Sequence, residues 1–274
     1  MIIRRAIRPP SNDHDRPRER VRGECLSANA HGDVCVGVHA AGVNPADLKH
    51  ARRPADASQL PLPIGYEVSG EILAVGPDTE IASGGGVIGD AVLAFRVKGG
   101  YATALTVPAE KVFAKPPTVD HPSAANLLLA GCTAADMLRA AAVEPGEPIL
   151  LHAASGAVGV AVLQLARLRG ITVIGTSSPA SAVRVREFGG IPVDYGPGLA
   201  DRVHAAAPDG VRAALDAAGT DEAVDTTLEL VADRSRIVTV VAPGRAADDG
   251  FVALGGTQPE SLASRDSVRP ELIP

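Results

Sequence analysis

The feature that most constrains the fold of this chain is an apolar run that passes through a tight, glycine-containing turn into a second apolar run. The first run, Ile149–Ala154, is typical of a buried strand, and the second, Val158–Leu168, has the length and composition of a helix. The turn between them reads Ala-Ser-Gly-Ala-Val-Gly from Ala154 to Gly159. A strand that leads directly into a helix in this way predicts one β–α unit of a parallel sheet.

Short apolar runs and helical segments alternate on both sides of this unit. The predicted elements are a helix at 124–142, strands at 171–175, 214–217 and 237–241, and helices at 180–188 and 222–232. Such alternation predicts a doubly wound parallel sheet of the Rossmann type, in an α/β fold. We place this domain at residues 119–274.

The first part of the chain has short predicted strands and little helix. The strands cover 33–42, 68–75, 91–95 and 101–107, and Gly- and Pro-containing turns separate them. We therefore predict a mostly β domain at residues 1–118. Its opening, residues 1–32, is atypical, and the Arg-, Pro- and Asp-rich stretch 4–22 is interpreted as a solvated or poorly ordered arm.

Charge and composition argue against several partners. With 26 Lys and Arg against 32 Asp and Glu, the net charge is −6, so no attraction to nucleic acid or to an anionic membrane is expected. No apolar run approaches the roughly 20 residues of a membrane span. The three cysteines, Cys25, Cys35 and Cys132, form no CxxC pair and no disulfide framework, which favours a reducing cytoplasm.

The glycine turn has the chemistry of a phosphate site. A pyrophosphate must approach backbone N–H groups closely, and Gly156 keeps that approach free of a Cβ. Gly159 allows the helix to pack tightly on the sheet, and the helix N-terminus adds partial positive charge. The turn therefore predicts a dinucleotide site. The alternative is an Ala- and Gly-rich contact between helix and sheet that holds no ligand.

The end of the second strand of this domain favours NADPH over NADH. NAD sites place a carboxylate about 20 residues beyond the turn, where it binds the ribose hydroxyls. This chain has the hydroxyl-bearing run Thr176–Ser178 instead, which can donate hydrogen bonds to a 2′-phosphate. Arg184 and Arg186 on the next helix can add positive charge; alternatively, they belong to a solvated helix face.

Several segments together resemble the zinc-independent medium-chain dehydrogenase/reductases, that is, the quinone oxidoreductases and related enoyl reductases. In the family's order they are Ala40–Lys49, Gly65–Gly76, Gly89–Phe95, Gly99–Ala102, Ala130–Ala134, the 153–159 turn and Asp194–Tyr195. Because these motifs agree in order and spacing, the chain is identified as a member of this family over about residues 34–243. The resemblance implies a GroES-like N-terminal domain and a Rossmann domain that is incomplete at its C-terminal end.

The resemblance also implies roles for individual residues. Asn44 is expected near the nicotinamide and the substrate, and Thr133 in the lining of the nicotinamide pocket. The other expected coenzyme contacts are Val241 and Ala242 at the nicotinamide, Ser155, Gly156, Ala157, Val158 and Gly159 at the pyrophosphate, and Ser177, Ser178 and Tyr195 around the 2′-phosphate. Relatives commonly form homodimers, so a homodimer is expected as well.

A zinc site is not expected. Zinc-dependent relatives have a cysteine where this chain has Asn44, and a histidine where it has Tyr66. Catalytic zinc needs three His, Cys or carboxylate ligands in one site, and the seven histidines are scattered along the chain. We therefore predict no metal. His152 is expected to be a packed core residue, and Cys132 a small apolar filler.

The activity that the resemblance implies is hydride transfer from NADPH to a small-molecule quinone or to the β-carbon of an α,β-unsaturated carbonyl (an enone). A proton then arrives from solvent or from a nearby hydroxyl. Tyr66 is a candidate donor, and a buried structural tyrosine is the alternative interpretation of that residue. For the whole chain, the alternative is a truncated, non-catalytic nucleotide-binding remnant of the same family.

Overall fold

The structure, a computed structural model, describes residues 31–52, 63–255 and 259–272. The arm predicted for residues 4–22 lies outside these ranges. The described chain forms two compact units, of which the first ends at Leu129 and the second begins at Ala130. This division falls inside a helix and comes later in the chain than the boundary expected after residue 118.

The first unit is built on a five-stranded antiparallel sheet in the order β4-β1-β2-β3-β5. The strands are β1 (Asp33–Ala41), β2 (Glu67–Val75), β3 (Ala91–Phe95), β4 (Ala104–Pro108) and β5 (Val112–Ala114). Valines and Ile72 from these strands form its aliphatic core. Helix α1 (Pro45–Ala51) follows β1, and the short helix α2 (His121–Ala124) packs beside β1 and β2.

The second unit contains a six-stranded parallel sheet in the order β11-β10-β9-β6-β7-β8. The strands are β6 (Pro148–His152), β7 (Thr172–Ser177), β8 (Ile191–Asp194), β9 (Ala213–Asp216), β10 (Ile237–Thr239) and β11 (Val252–Ala253). Counted within this unit, the order is 3-2-1-4-5-6, the arrangement of dinucleotide-binding sheets. The predicted fold class, a Rossmann sheet preceded by a mostly β GroES-like domain, is confirmed.

Helices cover both faces of the parallel sheet. They are α3 (Leu127–Ala140), α4 (Ala157–Leu168), α5 (Ala182–Glu187), α6 (Leu199–Ala206), α7 (Asp221–Leu230) and α8 (Pro243–Asp249). The last described helix, α9 (Pro259–Leu272), contacts α3, where the hydroxyl of Ser261 donates to Oδ2 of Asp136. Because side chains alternate along a strand, Ile149 and Leu151 enter one aliphatic core, whereas Leu150 enters the other. None of the described helices has both the length and the apolar character needed to cross a membrane.

The described cysteines are in two states. Cys132 on α3 forms no disulfide and is fully buried, as expected of a small filler. Cys35 on β1 is disulfide-bonded. The expectation that the cysteines form no disulfide was therefore wrong for Cys35, because the fold can bring cysteines together that do not form a CxxC pair.

Candidate coenzyme and catalytic sites

The glycine turn connects β6 to α4 at the carboxyl edge of the parallel sheet. Ala153 has a left-handed backbone conformation, with φ of 57°, which is uncommon for alanine. Its N–H donates to Oγ1 of Thr176 (3.1 Å), and the N–H of Ala154 donates to the Thr176 carbonyl oxygen (3.0 Å). One residue of β7 therefore holds both residues at the start of the turn.

The two glycines of the turn have different functions. A Cβ on Gly159 would lie 2.4 Å from the Ala153 carbonyl oxygen, so α4 can approach the turn only with glycine at this position. At Gly156, a Cβ would meet only the same oxygen, at 3.3 Å. Gly156 is exposed and is the N-cap of α4, whose first N–H groups have no acceptor within the helix. This uncovered helix end fits a pyrophosphate group.

The residues expected at the 2′-phosphate lie together at the ends of β7 and β8. Ser177 is buried, and its hydroxyl donates to the Ser178 carbonyl oxygen (3.2 Å). The Ser178 hydroxyl donates to Oγ of Ser181 (3.1 Å). Tyr195 is 58% exposed, and its N–H donates to the Ser177 carbonyl oxygen at 3.4 Å. Ser178 and Tyr195 are thus the more accessible members of this group.

A buried polar network lies beneath the turn, and sequence reasoning did not predict it. Nε2 of His152 lies 2.9 Å from Oγ1 of Thr227, and Nδ1 lies 3.4 Å from Oγ1 of Thr176. Burial lowers the pKa of His152 to about 4, against the opposing effects of the Asp216 and Glu222 carboxylates. The ring is therefore neutral at pH 7. The expectation of a packed core histidine is confirmed, since only 1% of its surface is exposed.

Two further buried side chains fix the segment expected at the nicotinamide. Asp216, at the end of β9, accepts a hydrogen bond from the hydroxyl of Thr239, at the end of β10 (2.8 Å). Oγ1 of Thr239 in turn accepts from the N–H groups of Val241 (3.1 Å) and Ala242 (3.0 Å). We call this pair the Asp216–Thr239 brace. In the sequence, the polar residue at the end of each of two apolar strands could have indicated the brace, because ligands bind at this edge of such sheets.

In the first unit, a cluster of buried polar residues surrounds Asn44, the N-cap of α1. Its N–H donates to Oδ2 of Asp47 (2.8 Å), and its Nδ2 donates to Oε1 of Glu67 (2.8 Å). Asp47 also accepts from the N–H of Gly65 (3.0 Å), and Glu67 accepts from the N–H of Leu129 at 2.9 Å. Burial raises the pKa of Glu67 to about 7, although both of its hydrogen bonds oppose the rise.

Tyr66 pairs with a histidine that sequence reasoning did not single out. Its hydroxyl lies 2.5 Å from Nδ1 of His50, which is in the last turn of α1. The two rings meet edge to face, with centroids 5.2 Å apart. Both residues are half-buried. The pair joins a phenol to an imidazole, whose ring nitrogens can donate and accept hydrogen bonds.

Thr133 is buried on α3 in the second unit, and Val241 and Ala242 lie shortly after the end of β10 in the same unit.

Within the ranges that the structure describes, no three His, Cys, Asp or Glu side chains come together as metal ligands. The prediction that the protein uses no metal remains a prediction.

Two family profiles match the chain. Residues 30–117 match the alcohol dehydrogenase GroES-like domain, and residues 157–257 match the family described as zinc-binding dehydrogenase. The first match covers the antiparallel sheet. The second match covers the helices and strands of the Rossmann unit from α4 to β11.

Individual proteins match over longer stretches. The synaptic vesicle membrane protein VAT-1 homolog of Rattus norvegicus is 31% identical over 211 residues, which are 75% of this chain and 51% of that protein. This chain thus spans about half the length of that curated relative. A quinone oxidoreductase of Pseudomonas syringae pv. Tomato superimposes with a TM-score of 0.68 and 30% identity, over 87% of this chain and 72% of that one. A mycobacterial protein complexed with NADPH has a TM-score of 0.70 and 28% identity, over 89% and 82% of the two chains.

Proposed function

Because the chain belongs to the quinone oxidoreductase-like group of the medium-chain dehydrogenase/reductases, we propose that it is an NADPH-dependent reductase of quinones or α,β-unsaturated carbonyls that works without a metal ion. The observation that carries the proposal is the open turn at Gly156, where an uncovered helix N-terminus follows a β-strand of a dinucleotide-type sheet. The NADPH complex of the mycobacterial relative supports the choice of coenzyme.

Each part of the second unit has a task in this proposal. NADPH supplies the hydride when it is bound. The backbone of Ser155–Gly159 holds the pyrophosphate, and Ser177, Ser178 and Tyr195 surround the 2′-phosphate. Thr133 and the segment Val241–Ala242 contact the nicotinamide, and the Asp216–Thr239 brace keeps that segment in place.

The first unit contributes the groups that act on the substrate. Asn44 directs its amide towards the substrate, and Tyr66 donates the proton. Hydride addition to the β-carbon of an enone leaves an enolate, which takes the proton of the Tyr66 hydroxyl. His50, at 2.5 Å, returns a proton to the Tyr66 oxygen and recovers one from solvent. The hydrogen bond between the two residues supports this assignment over a purely structural tyrosine.

The test replaces Gly156 by aspartate and, as a matched control, by asparagine. Both residues are favoured N-caps, so α4 should form in both variants. The aspartate places a negative charge against the pyrophosphate, and like charges a few ångströms apart repel by a few kcal/mol near a protein surface. We therefore expect NADPH affinity to fall about a hundredfold further in Gly156→Asp than in Gly156→Asn.

Binding is measured by NADPH fluorescence, and turnover by NADPH consumption with 1,4-benzoquinone and with an enone. Equal affinities of wild type, Gly156→Asp and Gly156→Asn would refute the phosphate assignment of the turn. Binding of NADPH without turnover of either acceptor would favour the second candidate, a non-catalytic nucleotide-binding protein of the same family.

The homodimer and the cytoplasmic location belong to the proposal as well. Analytical ultracentrifugation tests the first, and fractionation of the source cells tests the second.

A further inference from the structure

Glu67 is a buried carboxylate that the proposed reaction does not use. We infer that ionised Glu67 is a positioning residue that fixes the side-chain amide of Asn44, so that the orientation of this amide depends on one proton. The inference rests on the proposed function, which places Asn44 beside the substrate.

The hydrogen bonds of Glu67 match its ionised form. Oε1 accepts from Nδ2 of Asn44 at 2.8 Å, and Oε2 accepts from the N–H of Leu129 at 2.9 Å. Both partners are donors, and only a carboxylate offers acceptors alone on both oxygens. The Leu129 N–H lies in the first turn of α3, where the helix provides no acceptor. When Glu67 takes up a proton, one of its two oxygens becomes an O–H group, so one of these two donors then faces another donor.

The surroundings leave the carboxylate little freedom to rearrange. Glu67 is 2% exposed, and a Cβ on Gly42 would lie 2.7 Å from Oε1, so the backbone of Gly42 closes over the side chain. The titratable groups that face it are Asp47 on α1 and Tyr101 in the loop before β4. Neither is a cation, and no lysine or arginine of the described ranges forms an ion pair with Glu67.

The two carboxylates of the cluster hold different parts of Asn44. Asp47 accepts from the backbone N–H, whereas Glu67 accepts from the side-chain amide. Only Glu67 therefore controls the group that would reach a substrate. Its pKa, which burial raises to about 7, brings this control into the physiological range.

The first experiment measures kcat/KM for the acceptor between about pH 5.5 and 8.5. In the wild type we expect kcat/KM to rise with pH to an inflection near 7, and to fall about tenfold per pH unit below it. The glutamine side chain in Glu67→Gln cannot accept from both donors. This variant should therefore lack the acid limb of the pH profile, which is the fall of kcat/KM below the inflection, and its kcat/KM at pH 8 should be roughly tenfold lower. Glu71→Gln, a more exposed position on the same strand, should keep the limb. A limb that persists in Glu67→Gln overturns the inference.

A second measurement needs no turnover. In the ¹⁵N-labelled wild type, the Asn44 side-chain amide resonance, assigned by its loss in Asn44→Ala, should titrate with a midpoint near pH 7. The titration should persist in His50→Gln, which excludes the neighbouring imidazole as its cause. An Asn44 resonance that does not move with pH overturns the inference, even in an active enzyme. Titration in a protein without reductase activity would instead count against the proposed function alone.

Discussion

Gly159 shows how one missing methyl group determines the geometry of the β–α junction. A Cβ there would overlap the backbone of Ala153 and Ala154 at 2.4–2.6 Å, so the helix or the turn would have to move. Backbone atoms cannot yield as a flexible side chain can. The residue is therefore a structural requirement for the site, whereas Gly156 keeps the approach of the ligand open.

We expect Gly159→Ala to lower the free energy of unfolding by about 1–3 kcal/mol, because overpacking forces the backbone to shift. NADPH affinity should fall with it, since the shift displaces the first turn of α4. Gly244→Ala on α8 is the control: its Cβ meets nothing within 4 Å, and alanine there should be neutral or stabilise by up to about 1 kcal/mol. Urea denaturation and NADPH fluorescence measure both effects, and equal stability of the two variants would contradict the argument.

The residues that sequence reasoning identified are those whose role is local. Gly156 and Gly159 belong to one turn, and their spacing along the chain already indicates a phosphate site. Glu67 and Leu129 are 62 positions apart, and His152 and Thr227 are 75 apart. Contacts across such distances arise only when the sheet forms, so no short motif announces them. Sequence reasoning therefore missed the buried polar networks, although it identified the glycine turn.

Among the secondary-structure elements, the Asp216–Thr239 brace joins two adjacent parallel strands at their carboxyl ends. A hydroxyl is needed between them because it donates to a carboxylate and accepts from two backbone N–H groups at the same time. Removing it takes the partner from Oδ2 of Asp216 and from the N–H groups of Val241 and Ala242. Oδ1 of Asp216 still accepts from the N–H groups of Ala218 and Gly219, at 2.9 Å each.

Thr239→Val should therefore destabilise the second unit by about 2–4 kcal/mol, because two buried N–H donors and one oxygen of a buried carboxylate lose their partner. Thr239→Ser keeps the hydroxyl and should cost less than about 1.5 kcal/mol for the lost methyl group. We also expect weaker NADPH binding in Thr239→Val than in Thr239→Ser, since Val241 and Ala242 lose their fixed position. The free energy of unfolding and the NADPH affinity of the two variants check this. Matching values for valine and serine would show that the brace has no energetic importance.

Long elements with a clear apolar pattern were predicted within a few residues, as α4 and β1 show. The helix expected at 124–142 is instead divided into α2 and α3, and the strand expected from Tyr101 begins at Ala104. The three-residue β5 and the four-residue β8 were not predicted as strands. Short edge strands have too few residues to show alternation, and pairing with a neighbour defines them more than their own side chains do.

At the scale of the whole molecule, one buried group in each unit, His152 in the second and Glu67 in the first, links stability to pH, and the two links have opposite signs. The pKa of His152 falls from 6.5 to about 4 on folding, so the unfolded chain binds more protons between these values and stability decreases as the pH falls through this window. The pKa of Glu67 rises from 4.5 to about 7, so the folded chain binds more protons there and stability decreases as the pH rises. Between about pH 4.5 and 6.5 the two effects have opposite signs, and each belongs to the unfolding of its own unit.

His152→Gln should isolate the contribution of His152 to the free energy of unfolding of the second unit. The variant lacks the histidine titration but leaves Glu67 unchanged, so subtraction of its free energy of unfolding from that of the wild type isolates His152. We expect this difference to be smaller at pH 5 than at pH 7.5, by of the order of 2 kcal/mol, because the wild type alone must keep a buried imidazole neutral against protonation. Urea denaturation at the two pH values measures it, and the transition to follow is that of the second unit, since two units need not unfold together. If the His152→Gln difference is independent of pH, the imidazole is not held neutral by burial, and the network beneath the turn must bind a proton without cost.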